Sequence, residues 1–242
     1  VRYLIIALRI LVPIAIIAAI VGQLVVSVDF WHGRGVQHVG VNITNFFSFF
    51  TIDSNVFSAV ILLIGAWLLI KGSDLDPTWF LVARASIVTY MVTTGVVYNL
   101  LLRGIELPQG STLGWSNEVL HVIAPIYLLL DWLFAPGRRP LKYSTIWIVI
   151  IFPIVWAIYT MIRAPFVIDE VNKRSYWYPY PFLNPNTAPE GYLTVGFYIV
   201  LISGIIALVG FGIVWLSTKR VPGQARATPP ATRSSVGASR AR

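Results

Sequence analysis

The stretch that decides the fold runs from Phe46 to Ile70, FFSFFTIDSNVFSAVILLIGAWLLI, in which Asp53 is the only ionisable side chain. A helix rises about 1.5 Å per residue, so roughly 20 such residues cross the ~30 Å hydrocarbon layer of a bilayer. Five more stretches share this character. Together they predict spans at 4–27, 46–70, 79–102, 116–134, 144–162 and 193–217. The expected fold is all-α, a polytopic membrane protein built as a six-transmembrane-helix bundle. The first stretch is too long for the apolar core of a signal peptide and has no clear small-residue cleavage site, so it reads as a span.

Composition agrees with this. The 242 residues are 57% hydrophobic and 12% charged, which leaves no room for a separate soluble domain. The net charge of +8 suggests nucleic acid until its distribution is considered. With the N-terminus inside, Arg2, Arg9, Lys71, Arg138, Arg139, Lys142, Lys219 and Arg220 all lie at cytoplasmic ends. Arg34, Arg103, Arg163, Lys173 and Arg174 fall in outer loops. The positive-inside rule accounts for the charge, puts both termini in the cytoplasm, and removes the case for a nucleic-acid partner. The absence of cysteine excludes disulfides, thiolate catalysis and thiolate metal sites. Three histidines, one of them within a span, do not make a metal site, so neither metal nor cofactor is expected.

The connections differ in kind. Lys71 to Pro77 forms a tight cytoplasmic turn, with Pro77 suited to start the next helix. Residues 163–192 are the longest connection, and Tyr176 to Pro185 alternates aromatics with prolines that fix φ and disfavour helix. Such a run reads either as an aromatic belt at headgroup depth or as a lid over an outward-opening cavity. Residues 219–242 turn to Arg, Ala, Pro, Ser and Thr without apolar periodicity, and are expected to be a disordered, basic, cytoplasmic tail.

Two spans carry polar side chains that lipid does not tolerate without a reason. In the second, Ser48, Thr51, Asn55 and Ser58 share one stripe at 100° per residue, while Asp53 points elsewhere. In the fourth, Asn117, Glu118 and His121 share one side. Both spans run inward from the outer face, and Thr51 and His121 each lie about five residues in, or ~7 Å, at matching depth in the outer half of the membrane. These are the parts of an acyl-transfer site. His121 would take the Thr51 proton, Asn55 or Asn117 would hold an oxyanion, and Glu118 or a backbone group would fix the imidazole tautomer. The same residues could equally be structural, since a membrane threonine often bonds its own i−4 carbonyl and Asn and His often join helices. In the inner half, Arg84 and Asp131 are expected to pair as a structural ion cluster, with Arg9 at a similar level.

Three segments also resemble a known family. Phe50-Thr51-Ile52-Asp53, Asn117-Glu118-Val119-Leu120-His121 followed by Pro125, and Tyr180-Pro181-Phe182-Leu183 occur in that order. They resemble bacterial, especially actinobacterial, six-pass membrane proteins related to the androgen-induced gene product and androgen-dependent TFPI-regulating protein family. The animal members are intramembrane threonine hydrolases of fatty acid esters of hydroxy fatty acids. The resemblance implies Thr51 as nucleophile, His121 as its partner, a lipid-like ester as substrate, and a place in the bacterial plasma membrane among membrane lipids. Glu118, the polar pair Ser54-Asn55 and the spacing from His121 to Pro125 depart from the animal pattern. The rival expectations are a lipid or small-molecule transporter using Asp53, Arg84, Glu118 and Asp131, and a scaffold without catalysis. The oligomeric state stays open.

Overall fold

The computed structural model describes residues 1–73, 75–105 and 110–219. Most of the expected tail, residues 220–242, lies outside the described residues. Six helices are long and apolar enough to cross a membrane: α1 (Arg2–Gly33), α3 (Phe50–Ile70), α4 (Thr78–Leu102), α5 (Gly114–Phe134), α6 (Thr145–Phe166) and α7 (Tyr192–Ser217). A short helix, α2 (Val39–Phe46), joins α1 to α3, and no strand is formed among the described residues. The protein is a multi-pass, all-α membrane bundle. The start of α1, the end of α3, the end of α5 and the end of α7 gather at one face, here called the terminal face. The connecting residues 34–49, 103–105, 110–113 and 167–191 lie at the opposite, loop face.

The central helix is α4, which packs on α3, α5 and α7 and is the most buried of the six. Its inward residues include Ala85, Ser86, Thr89, Thr93 and Thr94, small side chains that let helix backbones approach closely where lipid supplies no hydrophobic drive between spans. Helix α1 packs along α3. Helix α6 behaves differently. Pro153 has no N–H for the Val149 carbonyl, and its ring opposes that oxygen. The helix breaks at Ile150, and the freed carbonyl accepts from Tyr90 Oη at 2.6 Å. Before the break, Thr145–Val149 pack on α4 and α7; beyond it, α6 and α7 part.

One helix end and one helix start differ most from the apolar runs. Helix α1 continues to Gly33, past the expected end at residue 27. The helix that carries Thr51 starts at Phe50 rather than at 46, because Phe46 closes α2 and a turn follows, with Phe49 extended (φ −73°, ψ 128°). An aromatic turn without Gly or Pro leaves no mark in hydropathy.

The inner half holds the expected Arg84–Asp131 pair within a larger charge cluster. Arg9 grips Asp131 with two bonds, Nε to Oδ1 at 2.8 Å and Nη2 to Oδ2 at 3.0 Å, and its third nitrogen donates to the Gly65 carbonyl at 3.1 Å. Arg84 bonds the other side of Asp131 at 2.8 Å and reaches Asp76 Oδ2 at 2.8 Å. Asp76 lies in the turn before α4 and is 4% exposed, so the sequence reading of that turn as a surface feature missed its role. Two guanidinium and two carboxylate groups balance to zero, the arrangement that makes burial of charge tolerable. Gly137 is needed beside it: its φ is +98°, and a Cβ there would lie 2.3 Å from Asp76 Oδ1.

Removing one partner strands the others. Asp131→Asn is expected to destabilise the bundle by about 3–5 kcal/mol, read as a large drop in the thermal unfolding midpoint in detergent. Glu118→Gln, at an exposed ion pair, should leave the midpoint unchanged.

Candidate intramembrane active site

Thr51 sits in the first turn of α3, where backbone N–H groups have no i−4 carbonyl to meet. No side chain of the adjoining segment caps this end. The cap comes from Tyr180, in the 167–191 connection. Its phenol oxygen accepts from the Thr51 N–H at 3.4 Å, with the Phe50 N–H beside it, and lies 3.5 Å from Thr51 Oγ1. Ser48, Ser58, Ser86 and Thr89 each donate to the carbonyl four residues earlier, the usual resting place of a hydroxyl in a membrane helix. Thr51 does not. Its hydroxyl faces a partner from across the bundle.

His121 lies on a π-helical segment of α5, Val119–Ile123. Pro125 explains it: its ring opposes the His121 carbonyl four residues back, and the helix widens so that the Ala124 N–H bonds the Val119 carbonyl. His121 Nδ1 is 3.0 Å from the Asn117 carbonyl, an acceptor that fixes the proton on Nδ1 and leaves Nε2 as the basic nitrogen. Among the described residues Nε2 has no hydrogen-bond partner. The ring stacks on Tyr98 at 4.0 Å and 27°. Tyr98 begins a second π segment, Tyr98–Leu102, at the end of α4. Two such segments facing each other are what functional sites in helices often use.

These residues enclose space. A cavity of about 320 Å³ is lined by Thr51, Tyr98, Asn117, His121 and Tyr180, among others. A second, of about 590 Å³, lies between α4, α6 and α7 and is walled by side chains such as Val97, Ile154, Met161, Phe182 and Ile202. Both volumes are in the range of small-molecule sites. Thr51, Tyr98, Leu102 and Tyr180 belong to both walls, so the cavity that holds His121 and the more strongly apolar one meet at Thr51.

The 167–191 connection is packed into the bundle, with Trp177, Tyr178, Tyr180 and Leu183 all buried. It is pinned at several points. The Trp177 N–H bonds the Ala164 carbonyl at 3.0 Å, and Glu170 accepts from His38 and from the backbone N–H of Gln37 at 2.7 Å. Arg163 reaches Asn45 Oδ1 at 2.7 Å and lies over the Trp177 ring. Phe49 and Phe182 flank Tyr180, at 5.6 and 5.2 Å between ring centres.

The structure therefore brings Thr51, Asn117 and His121 to one cavity, without a direct Thr51–His121 hydrogen bond. Two expected helpers stand elsewhere. Asn55 uses its amide donors on the Thr51 carbonyl (2.9 Å) and the Leu120 carbonyl (3.2 Å), so it ties α3 to α5 and holds no oxyanion. Glu118 pairs with Arg103 at 2.8 and 3.1 Å and is 46% exposed; the extra residue of the π turn rotates His121 away from it, and the Asn117 carbonyl orients the imidazole instead. Asn117 also donates to the Tyr98 hydroxyl. Arg84, Asp131 and Asp53 line neither of these two cavities. Sequence reasoning passed over Tyr98, although a depth count along α4 reaches it, and met Tyr180 only inside a motif.

No known protein family, curated protein or solved structure matches the chain. What the site can do follows from its own geometry.

The absence of native cysteine makes that geometry easy to probe. Thr51→Cys and His121→Cys should each be modified by a small methanethiosulfonate, while Ser54→Cys, at a fully buried position, should not. Equal protection at all three would mean that the cavity is closed to small molecules.

Proposed function

We propose that this protein is an intramembrane hydrolase of lipid esters, with Thr51 as nucleophile and His121 as general base. The observation that carries the reading is the junction at Thr51 of a cavity containing an imidazole and a more strongly apolar cavity large enough for a hydrocarbon chain. Three further features support it: the Thr51 hydroxyl makes no i−4 bond, the His121 tautomer leaves Nε2 basic, and the N-terminal end of α3 favours negative charge at Thr51.

The ester carbonyl would sit at the junction with its acyl chain between α6 and α7, whose divergence toward the loop face supplies a lateral way in from lipid. As the Thr51 oxygen attacks, its proton passes to His121 Nε2. The alcohol then leaves with that proton, and water attacks the acyl-threonine in a second round. The Thr51–His121 contact would close in the substrate complex, since hydrogen bonds of catalysis commonly tighten only then. This chemistry calls on no cofactor. The exposed cations Arg2, Lys71, Arg139, Lys142 and Lys219 share the terminal face, which supports a cytoplasmic position for both termini. The site would then serve the outer leaflet of a bacterial plasma membrane, its substrate a lipid-like ester from among the membrane lipids.

A fluorophosphonate with a long alkyl chain and a long-chain p-nitrophenyl ester test this together. The wild type should be labelled at Thr51 and should turn the ester over. Thr51→Ala and His121→Ala should each lose both activities at an unchanged unfolding midpoint. Undiminished turnover in Thr51→Ala removes the mechanism.

A further inference from the structure

A threonine hydrolase needs donors aimed at the oxygen that becomes negative, and such groups contribute most when they are held in place beforehand. The Asn55 amide is committed to two carbonyls. The first-turn N–H of Thr51 is directed at Tyr180. Ser116 donates its hydroxyl to the Ala19 carbonyl, and the Gln23 amide nitrogen donates to Ser27 and to the Ser111 carbonyl. We infer that Tyr180 is a catalytic residue of this site, its phenol donating a hydrogen bond to the oxyanion that forms when Thr51 attacks. This deepens the hydrolase reading above and rests on it.

Position is the first argument. The phenol oxygen lies 3.5 Å from Thr51 Oγ1, the atom that bonds the carbonyl carbon, and Tyr180 lines both the cavity that holds His121 and the larger apolar cavity. A carbonyl carbon bonded to Oγ1 holds its own oxygen about one bond further on, within reach of a group already beside Oγ1. Rigidity is the second. Pro179 and Pro181 fix φ on either side, a 3₁₀ turn follows at Pro181–Leu183, and the ring is held by Phe49, Trp156 and Phe182. Such a donor reorganises little during reaction.

The proton balance decides what the phenol does. Burial pushes the Tyr180 hydroxyl up to about 12, with hydrogen bonds from Thr51 only partly opposing the shift. At neutral pH it keeps its proton and serves as donor, not as base. The Thr51 Oγ–H proton goes to His121 Nε2, the new C–O bond forms, and the carbonyl electron pair moves to oxygen. Tyr180 shares its hydrogen with that oxygen without transferring it. Collapse re-forms the carbonyl, breaks the bond to the alcohol, and returns the proton from His121 to the leaving oxygen.

Tyr180→Phe removes the hydroxyl and keeps the ring contacts. With the long-chain fluorophosphonate, the maximal labelling rate at Thr51 should fall about 10²–10³-fold. The half-saturating probe concentration should stay at the wild-type value, and the unfolding midpoint should fall only by the small amount expected for loss of the α3 cap. Fluorotyrosine at the same position keeps a donor and should restore the rate. Wild-type labelling at Thr51 with an equal rate in Tyr180→Phe overturns the role of Tyr180 and leaves the hydrolase reading intact. A rate loss accompanied by a parallel loss in half-saturation and a large fall in unfolding midpoint, and not restored by fluorotyrosine, also overturns it, since Tyr180 would then only hold the 167–191 connection. No labelling of the wild type at Thr51 overturns the hydrolase reading and the inference with it.

Discussion

The charge cluster around Asp131 is the constraint on which the rest of the bundle hangs. Two arginines and two aspartates in a medium that cannot hydrate them must meet one another or not be there. Arg9 comes from α1, Arg84 from α4, Asp131 from α5, and Asp76 from the turn between α3 and α4; the Gly65 carbonyl of α3 accepts from Arg9 as well. Four of the six spans are therefore fixed in height relative to one another at a single point, which packing of Leu and Ile against equally apolar lipid would not do. The loop-face half inherits that register. Thr51 lies fourteen residues from Gly65 along α3, and Tyr98 fourteen from Arg84 along α4, about 21 Å in each case. The two meet on one cavity wall because their anchors meet in the cluster.

Within that frame, proline makes the openings. A helix in hydrocarbon can leave no carbonyl unsatisfied without cost, so each proline must be answered by another group. The Val149 carbonyl freed by Pro153 is answered by Tyr90, and the resulting break lets α6 lean from α7 to open the apolar cavity. Pro125 is answered by the π turn that presents His121, and Gly95 on α4 makes room, since a Cβ there would come within 3.2 Å of Pro125. Both cavities are thus consequences of where two prolines interrupt otherwise ordinary spans.

Much of the fold was legible because a membrane span declares itself by apolar length alone, whereas the equal residue counts expected for Thr51 and His121 are not found, Thr51 being the second residue of α3 and His121 the eighth of α5. What escaped was everything that depends on a local departure from the regular helix or on a distant segment. The turn at 47–49 is written in phenylalanine and serine, so Thr51 read as five residues deep when it opens its helix. The π turn displaced Glu118 from the face it shares with His121 on an ideal helix. Asp76 looked like a surface turn residue because its pocket depends on Gly137, sixty-one positions later. Tyr180 caps a helix that ends over a hundred residues before it, and no spacing rule reaches that far.

The division of the molecule into a charged, closed half and a hollow half has a physical logic. A threonine hydroxyl is a weak nucleophile, and a site that activates it must hold a base, a donor and a helix end near one atom while leaving room for a ligand. Cavities and unpaired donors lower stability wherever they occur. Placing them some 20 Å from the Asp131 cluster lets the terminal half carry the stability and the register while the loop half tolerates empty volume, a broken helix and two π turns. The 167–191 connection then completes the site from outside the spans: Tyr180 closes the α3 end that the bundle leaves open, so one phenol both caps that helix and lies beside the proposed nucleophile.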